Sequence, residues 1–465
     1  MPSSRSYDAI VIGTGQAGKP LAHTLAVAGR KTAIIEREER VGGSCIVHGC
    51  TPTKTMVASG RVAYLARRAR DYGVATGRVS VDLAKVRERK RDIVDKFSGS
   101  ARRGLEKEEN VDLIFGEASF LTPHEVRVET RNGEELRLSA PLTFINTGTR
   151  SRIPDVEGIA DVPFLTNATI MELERTPEHL LVLGGGYIGL EFAHMFRRFG
   201  ARVTILHSHS QLLPREDEDV ASEMARILRD DGIEILLSAR AVGAARDDAG
   251  GIRIEVDSHE GKKELEATAL LVATGRSPNT DRLHLDAAGV ELDRGGYIRV
   301  NERLETNVGG IYALGDVKGG PAFTHISYDD YRVVEANLLN GANASIKDRI
   351  VPYCVFTDPE LGRVGMTERE ARERGLPFKV ARLPMSRAAR AIESGETRGF
   401  MKAIVDSETE RILGAAILGV SGGEVMSVVE VAMLGKLPYT ALRDGIFAHP
   451  TLSESLNNLF WNFED

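Results

Sequence analysis

Cysteine is nearly missing from this chain: 465 residues contain three, Cys45, Cys50 and Cys354. So few exclude a disulfide-stapled secreted scaffold. In a reducing cytosol, a close pair is usually catalytic or metal-binding. No apolar run approaches the roughly 18–20 residues that a membrane-spanning helix needs. Only 1–6 precede the first expected strand, which on this reading leaves no room for a secretory signal. Charge of one sign is not in large excess either. The 60 Lys+Arg against 67 Asp+Glu give a net charge of −7 and a pI near 6.0, which argues against nucleic acid as the main partner. These absences together point to a cytoplasmic protein with no nucleic-acid and no membrane partner. What is present, 42% hydrophobic and 27% charged residues, is globular, and the length suggests about three domains.

Two of the three cysteines fall in one stretch, Gly42-Gly43-Ser44-Cys45-Ile46-Val47-His48-Gly49-Cys50-Thr51-Pro52-Thr53-Lys54. Pro52 and the helix-compatible run from Thr53 to Arg70 place Cys50 near a helix N-terminus. That end favours negative charge, so a Cys50 thiolate should be stabilised. Two such cysteines can bridge if the turn brings their Cα atoms to roughly 4.4–6.8 Å, and a short exposed bridge is a labile, working one. The alternatives are two unrelated buried thiols, or a zinc site through Cys45, His48 and Cys50, which has no fourth ligand nearby. No resident metal is expected.

The stretch follows directly on a nucleotide signature. Asp8–Ile12 reads as a buried strand, then come Gly13-Thr14-Gly15-Gln16-Ala17-Gly18, a helix ending near Gly29, and a strand Lys31–Ile35 ending at Glu36. The glycines let backbone approach a pyrophosphate at the helix N-terminus, and the acid accepts hydrogen bonds from a ribose. A charged stretch from Asp82 to Glu109 reads as a solvated helix. Alternating segments from Val111 to Leu138, with a turn at Asn132-Gly133, read as strands, and Phe144-Ile145-Asn146-Thr147-Gly148 as a strand entering a glycine turn.

The pattern then repeats. His179–Leu183 is a strand, Gly184-Gly185-Gly186-Tyr187-Ile188-Gly189 opens a helix ending near Gly200, and Arg202–Leu206 is the next strand. Thr274-Gly275 echoes Thr147-Gly148. Self-similarity of this kind predicts two nucleotide-binding folds in one chain. The acid does not repeat: counted from the first glycine, the place of Glu36 is taken by His207. Ile311–Ala313 followed by Leu314-Gly315-Asp316 is a further strand ending in Gly-Asp. From about Ile350, strand-like runs (Val351–Phe356, Phe400–Val405, Ile412–Gly419), two helical runs and an aromatic tail with Phe460, Trp461 and Phe463 suit a dimerisation domain. Cys354, in an apolar run, is expected in a core.

Across essentially its whole length the chain resembles the FAD-dependent pyridine nucleotide–disulfide oxidoreductases, which include glutathione reductase, dihydrolipoyl dehydrogenase and mercuric reductase. The resemblance implies an α/β fold: two Rossmann-like domains, for FAD and NAD(P), plus a C-terminal α+β dimerisation domain. The corresponding division is 1–150 for FAD and the redox disulfide, 151–278 for NAD(P), 279–348 returning to the FAD domain, and 349–465 for dimerisation. It implies FAD on Gly13, Gly15, Gly18, Glu36, Gly43, Lys54, Thr147 and Gly148. Asp316 would hold the ribityl chain, and Thr324-His325 would start a helix near the flavin pyrimidine. NADPH or NADH would lie on Gly184, Gly186, Gly189, Gly275, His207 and Ser208, with Tyr187 as a gate. Lys54 and Glu191 would pair beside the flavin, a surface ion pair being the plainer alternative.

Electrons would pass from nicotinamide through flavin to a Cys45–Cys50 disulfide and on to a small-molecule disulfide or metal-ion acceptor. On the same resemblance, Cys50 faces the flavin and Cys45 attacks substrate. His449 with Glu454 manages protons from the partner subunit of a homodimer whose active site is shared. Thr51-Pro52-Thr53-Lys54 and Gly15-Gln16-Ala17-Gly18-Lys19-Pro20 look most like the mercuric-reductase branch, but that branch's C-terminal cysteine pair and N-terminal metal-binding domain are not in this sequence. Val47-His48 departs from the usual residues between the cysteines. Dihydrolipoyl dehydrogenase or a glutathione-reductase-type enzyme is the alternative within enzymes, and a flavin-bound redox sensor the alternative outside them. His207, Ser208, His209 and Arg215 can donate to a 2′-phosphate, which favours NADPH at least equally with NADH.

Overall fold

The computed structural model describes residues 3–247, 250–259 and 261–464. It divides into two compact units. One is made of Met1–Thr55, Lys85–Arg152 and Arg276–Arg349, the other of Met56–Ala84, Ile153–Gly275 and Ile350–Asp465.

In the first unit, Ala9–Ile12 is apolar throughout and buried on both faces, as a central strand of a parallel sheet must be. It pairs in parallel with Thr32–Glu36 on one side and Leu142–Ile145 on the other. Ile311–Ala313 adds in parallel beyond Leu142–Ile145, although more than 150 residues intervene. The sheet continues from Thr32–Glu36 through Val111–Thr122, Glu125–Thr130 and Glu135–Ser139. The helix Gly18–Val27 turns Leu21, Ala22, Leu25 and Ala26 inward, the i, i+1, i+4, i+5 stripe of a helix lying on a sheet. Leu21, Ala22 and Leu25 join Val11, Ile34, Phe144 and Leu314 in one core, which fixes where the glycine turn sits.

The second unit carries a parallel sheet in the order Ile233–Leu236, Arg202–Leu206, His179–Leu183, Ala269–Val272, Phe164–Leu165. It also contains a three-stranded antiparallel sheet over Ala239–Ala267 and a five-stranded antiparallel sheet. The helix Gly422–Leu434 covers the five-stranded sheet with Val425, Met426, Val429 and Ala432. The approach is tight: a Cβ on Gly362 would meet the Gly422 carbonyl oxygen at 2.3 Å. The opposite side of this helix leaves Val431 and Leu434 exposed, at 67% and 62%, and Trp461 is 66% exposed. Among the described residues, no helix is long and apolar enough to cross a membrane.

Several expectations need correction. Ser3–Ser6 is itself a strand, parallel to Glu135–Ser139. All four residues are exposed and polar, so its only signal is backbone pairing, which composition does not reveal. The cysteine stretch is not a simple turn, because Gly43–Val47 forms a short helix. Two strands, Glu360–Gly365 and Phe378–Pro384, went unassigned, since Arg363, Lys379 and Arg382 interrupt their apolar pattern. The charged helix Leu83–Lys107 is not wholly solvated, as Lys90 is buried. Cys354 is partly exposed on the short strand Tyr353–Val355 rather than in a core.

Candidate active site

Gly13, at φ +105°, and Gly18 make the first glycine turn possible. A Cβ on Gly13 would stand 2.4 Å from the Asn146 carbonyl oxygen, and one on Gly18 would stand 2.2 Å from the Gly13 carbonyl oxygen. Asn146 sits at the centre of this packing. With its amide oriented to satisfy its neighbours, it accepts from the N–H groups of Gly15 (3.3 Å) and Gly18 (2.9 Å) and donates to the Leu314 carbonyl (3.2 Å). Glu36, at the end of its strand, accepts from the Thr14 N–H at 3.2 Å and from the Thr14 hydroxyl, while its other oxygen accepts from the Glu38 N–H at 2.9 Å.

The redox stretch is laid directly on this turn. The Thr14 hydroxyl oxygen accepts from the Gly42 N–H at 3.0 Å, and a Cβ on Gly43 would meet Gly15 Cα at 2.7 Å. Only glycine permits that approach. Cys45 lies in the five-residue helix Gly43–Val47, and Cys50 is the first residue of the helix Cys50–Arg67. Neither is in a disulfide bond. The hydrogen bond with Cys50, then burial and the Cys50 charge, push the Cys45 thiol well up, while Thr324 and Lys19 pull it down. Cys50 Sγ also lies 3.2 Å from Thr324 Oγ1, at the start of the helix Thr324–Asn340. Burial pushes the Lys19 ammonium down, and the Cys45 charge opposes it. His48 Nε2 is 2.8 Å from Glu38 Oε2, and that contact, ahead of opposing burial, lowers the Glu38 carboxyl.

Other predicted residues of this unit gather on the neighbouring strand ends. Thr147 donates through Oγ1 to the Asn279 carbonyl (2.9 Å), and the Asn279 amide donates back to the Thr147 carbonyl (2.8 Å). Asp316 Oδ2 accepts from Thr149 Oγ1 at 3.1 Å, and burial pushes its carboxyl up. The His325 ring stacks on Phe323, with centroids 5.4 Å apart. Lys54 lies in the first turns of the Cys50–Arg67 helix.

The second glycine turn repeats the first. A Cβ on Gly184, at φ +116°, would meet the Ala273 carbonyl oxygen at 2.3 Å, and one on Gly189 would meet the Gly184 carbonyl oxygen at 2.1 Å. A Cβ on Gly186, at the N-cap of the helix Tyr187–Phe199, would touch nothing within 4 Å. Gly275 has φ +129°. His207 is buried, Ser208 is exposed, and the Ser208 hydroxyl lies 3.1 Å from His209 Nδ1. Glu191 is buried and accepts from the Phe356 N–H at 3.0 Å. His449 Nδ1 is 2.9 Å from Glu454 Oε2, and the His449 side chain is 67% exposed.

Sequence reading missed Thr14, Lys19, Asn146, Thr149, Arg276 and Asn279. Lys19 and Asn146 lay inside motifs already singled out, but neither residue type announces its role. Arg276, which donates to the Thr149 carbonyl at 2.6 Å, is joined to it only by the fold. In the second unit a buried network also escaped: His194 Nε2 to Asp231 Oδ2 at 2.6 Å, with Arg198 Nη2 2.8 Å from the same oxygen.

Two glycine-turn nucleotide folds, one of them with a dithiol laid across its turn, define a redox protein of the two-nucleotide kind. Residues 7–330 match the pyridine nucleotide-disulphide oxidoreductase family, and residues 351–460 match that family's dimerisation domain. The chain belongs to this family, whose members use FAD and NAD(P)H, and the dimerisation domain indicates a homodimer. It is 42% identical to the probable pyridine nucleotide-disulfide oxidoreductase RclA of Escherichia coli over 98% of each chain. It is 34% identical to a mercuric reductase of Lysinibacillus sphaericus, covering 97% of this chain and 81% of that one. A solved structure described as the Cu(II) complex of HOCl-induced flavoprotein disulfide reductase RclA from Escherichia coli superposes with a TM-score of 0.90 at 42% identity, covering 98% and 99% of the two chains.

The residues present fit both nucleotides. Each glycine turn has positions that only glycine can fill, and each opens a helix whose N-terminus favours the negative charge of a pyrophosphate. The desolvated Asp316 carboxyl fits a hydroxylated chain as its partner. FAD, when bound, supplies a ring that takes up hydride and gives two electrons onward.

Proposed function

We propose that this protein is an NAD(P)H-dependent flavoprotein reductase in which electrons reach the Cys45–Cys50 disulfide and pass to a disulfide or metal-ion acceptor. The observation that carries this reading is the contact between Gly43 and Gly15, which sets the dithiol on the nucleotide turn. In this reading Gly13, Gly15, Gly18, Glu36, Gly43, Lys54, Thr147, Gly148, Asp316, Thr324 and His325 hold FAD, and Tyr187 gates the nicotinamide pocket. The division into FAD, NAD(P), returning FAD and dimerisation segments belongs to the same proposal, as does a cytoplasmic setting.

The chemistry of the chain's own residues follows from the thiol energetics. Cys45 must lose its proton before it can attack, because the thiolate is the nucleophile. His449, oriented by Glu454, is the base we assign to that proton, delivered by the partner subunit of the homodimer. With a disulfide acceptor, Cys45 sulfur bonds one acceptor sulfur and the other leaves as a thiolate that takes the proton from His449. Cys50 thiolate then displaces the remaining acceptor sulfur, closing the Cys45–Cys50 bond and releasing a second thiolate. With cupric ion as the acceptor, closure of the same bond delivers one electron to each of two Cu(II), leaving two Cu(I), and the two thiol protons pass through His449 to solvent. Copper is the favoured metal, supported by the relative whose structure is a Cu(II) complex.

The test is anaerobic reduction of the pure protein with NADPH, then a panel of oxidised glutathione, lipoamide, mercuric and cupric ions. Turnover should accompany a change in alkylatable thiols under denaturing conditions from one, Cys354, to three. Three free thiols in the oxidised protein would refute the reading.

A further inference from the structure

A second buried carboxylate belongs to the turn that carries Asp316, and it takes no part in the chemistry proposed above. Asp330 lies in the second turn of the helix Thr324–Asn340 and is fully buried, at 0% exposure. Its Oδ2 accepts from the Gly315 N–H at 2.8 Å and lies 3.2 Å from Lys318 Nζ. Its Oδ1 accepts from Arg349 Nη2 at 2.9 Å. The Lys318 side chain is buried too, so both members of that ion pair are out of water.

Taking such charges out of water is costly unless each is paired and hydrogen-bonded, which this geometry achieves. What the arrangement fixes is the relation of two elements. Gly315 and Lys318 are the first and last residues of the short turn Gly315–Lys318, so Asp330 grips both ends of the segment that holds Asp316. The turn is also pressed on the helix: Gly315 has φ +71°, and a Cβ there would stand 2.9 Å from Ser327 Oγ, one helical turn before Asp330. The same helix begins at Thr324, whose Oγ1 is 3.2 Å from Cys50 Sγ. At 1.5 Å per residue, Asp330 is only about 9 Å along the axis from Thr324.

We propose that Asp330 is a positioning residue for the redox centre: by tying Gly315 and Lys318 to the helix Thr324–Asn340, it keeps Asp316 and Thr324 in one register, the first toward the flavin's hydroxylated chain and the second toward Cys50. The inference rests on reading Asp316 as a flavin-binding acid. Asp330 acts through the Gly315 backbone and through its own helix. A displacement of about 1 Å between turn and helix is enough to spoil such a site.

The test compares Asp330→Asn with Val333→Ala. The first keeps an oxygen for the Gly315 N–H and loses the charge that holds Lys318 and Arg349. The second trims the buried apolar face of the same helix and touches none of these contacts. Asp330→Asn should raise the dissociation constant of FAD from the holoenzyme roughly tenfold or more, read from flavin fluorescence on dilution, and slow iodoacetamide alkylation of the reduced cysteine pair at pH 7 by roughly threefold or more. Val333→Ala should lower the urea midpoint and leave both readouts near those of the wild type. Should Asp330→Asn not fold, the double variant Asp330→Asn, Lys318→Met removes the carboxylate together with the ammonium it neutralises and is read in the same way. Wild-type FAD release or wild-type alkylation in the folded variant overturns the shared register, as does a Val333→Ala protein that moves both readouts as far. A wild-type protein that binds no FAD overturns the flavin reading itself.

Discussion

Thr324 Oγ1 and Cys50 Sγ lie 3.2 Å apart, although 274 residues of chain separate them. Each stands at the first position of a helix, of 17 and 18 residues, so two helix N-termini converge on one sulfur. Both ends favour an anion there, and the hydroxyl can donate to it.

Thr324→Val should therefore raise the pH at which the reduced pair begins to react. A hydrogen bond to a charged group is worth about 1.5–3 kcal/mol, so alkylation at pH 7 should slow by roughly tenfold or more. The measurement is the pH profile of iodoacetamide modification of the reduced enzyme. A profile identical to that of the wild type would show that Thr324 does not stabilise the thiolate.

His449 is exposed in the single chain and pairs with Glu454 at 2.9 Å. Its replacement by Ala should leave nicotinamide oxidation by the flavoprotein nearly intact and slow transfer to substrate by about 10²–10⁴. Mixing two inactive variants, Cys45→Ser and His449→Ala, tests where it acts. After random subunit exchange about half the dimers are mixed, each with one good site in two, so up to about a quarter of the activity should return. No recovery despite proven exchange would place both residues in one subunit's site.

Gly18 and Gly104 make opposite predictions for the same substitution. A methyl on Gly18 would stand 2.2 Å from the Gly13 carbonyl oxygen, so Gly18→Ala should yield protein with little bound FAD, read from its visible absorbance. A methyl on Gly104 would meet nothing within 4 Å, and the residue lies in the helix Leu83–Lys107. Gly104→Ala should stabilise the protein by about 0.5–1 kcal/mol, read from the denaturant midpoint.

Acid should weaken the second unit through His194. Burial, ahead of the opposing Asp231 hydrogen bond, pushes its pKa down. Between that lowered value and the ordinary pKa of about 6.5, the unfolded chain holds a proton that the folded one does not, so stability falls as pH drops below about 6.5. His207, pushed down to about 4, acts in the same sense. Burial would raise Asp231, but the His194 hydrogen bond and the Arg198 and Arg398 charges hold it well below the usual range, which adds a loss below about pH 4. Glu216 and Glu360, pushed up by burial, work the other way. The contribution of His194 is isolated by subtraction. Urea midpoints of wild type and His194→Gln should converge as pH falls from 7.5 to 5, and a constant gap would remove His194 as the cause.

Much of this was legible in the residues themselves. The glycine turns and the strand His179–Leu183 could be read because each depends on local chemistry: an apolar run, then residues that alone permit positive φ or close approach. Cys50 at a helix start followed from Pro52. What escaped depended on partners far away in sequence. Asn146 matters because four glycines and the Leu314 carbonyl converge on it, and the His194–Asp231 pair because folding brings the two together. The replacement of an acid by His207 was visible, but not that Gly185 would claim its only acceptor.

The strand Ile311–Ala313 closes one edge of the first sheet by pairing with Leu142–Ile145. A ribosome makes these two segments far apart in time. With about 5–20 residues added per second, the edge of Leu142–Ile145 waits on the order of ten seconds or more for its partner. All that while an apolar strand presents unpaired N–H and C=O groups, a template on which another nascent chain can pair. Yield in cells should therefore depend on growth temperature and on chaperone supply more than the final stability suggests, and the stretch 142–145 is where aggregation of this protein should begin.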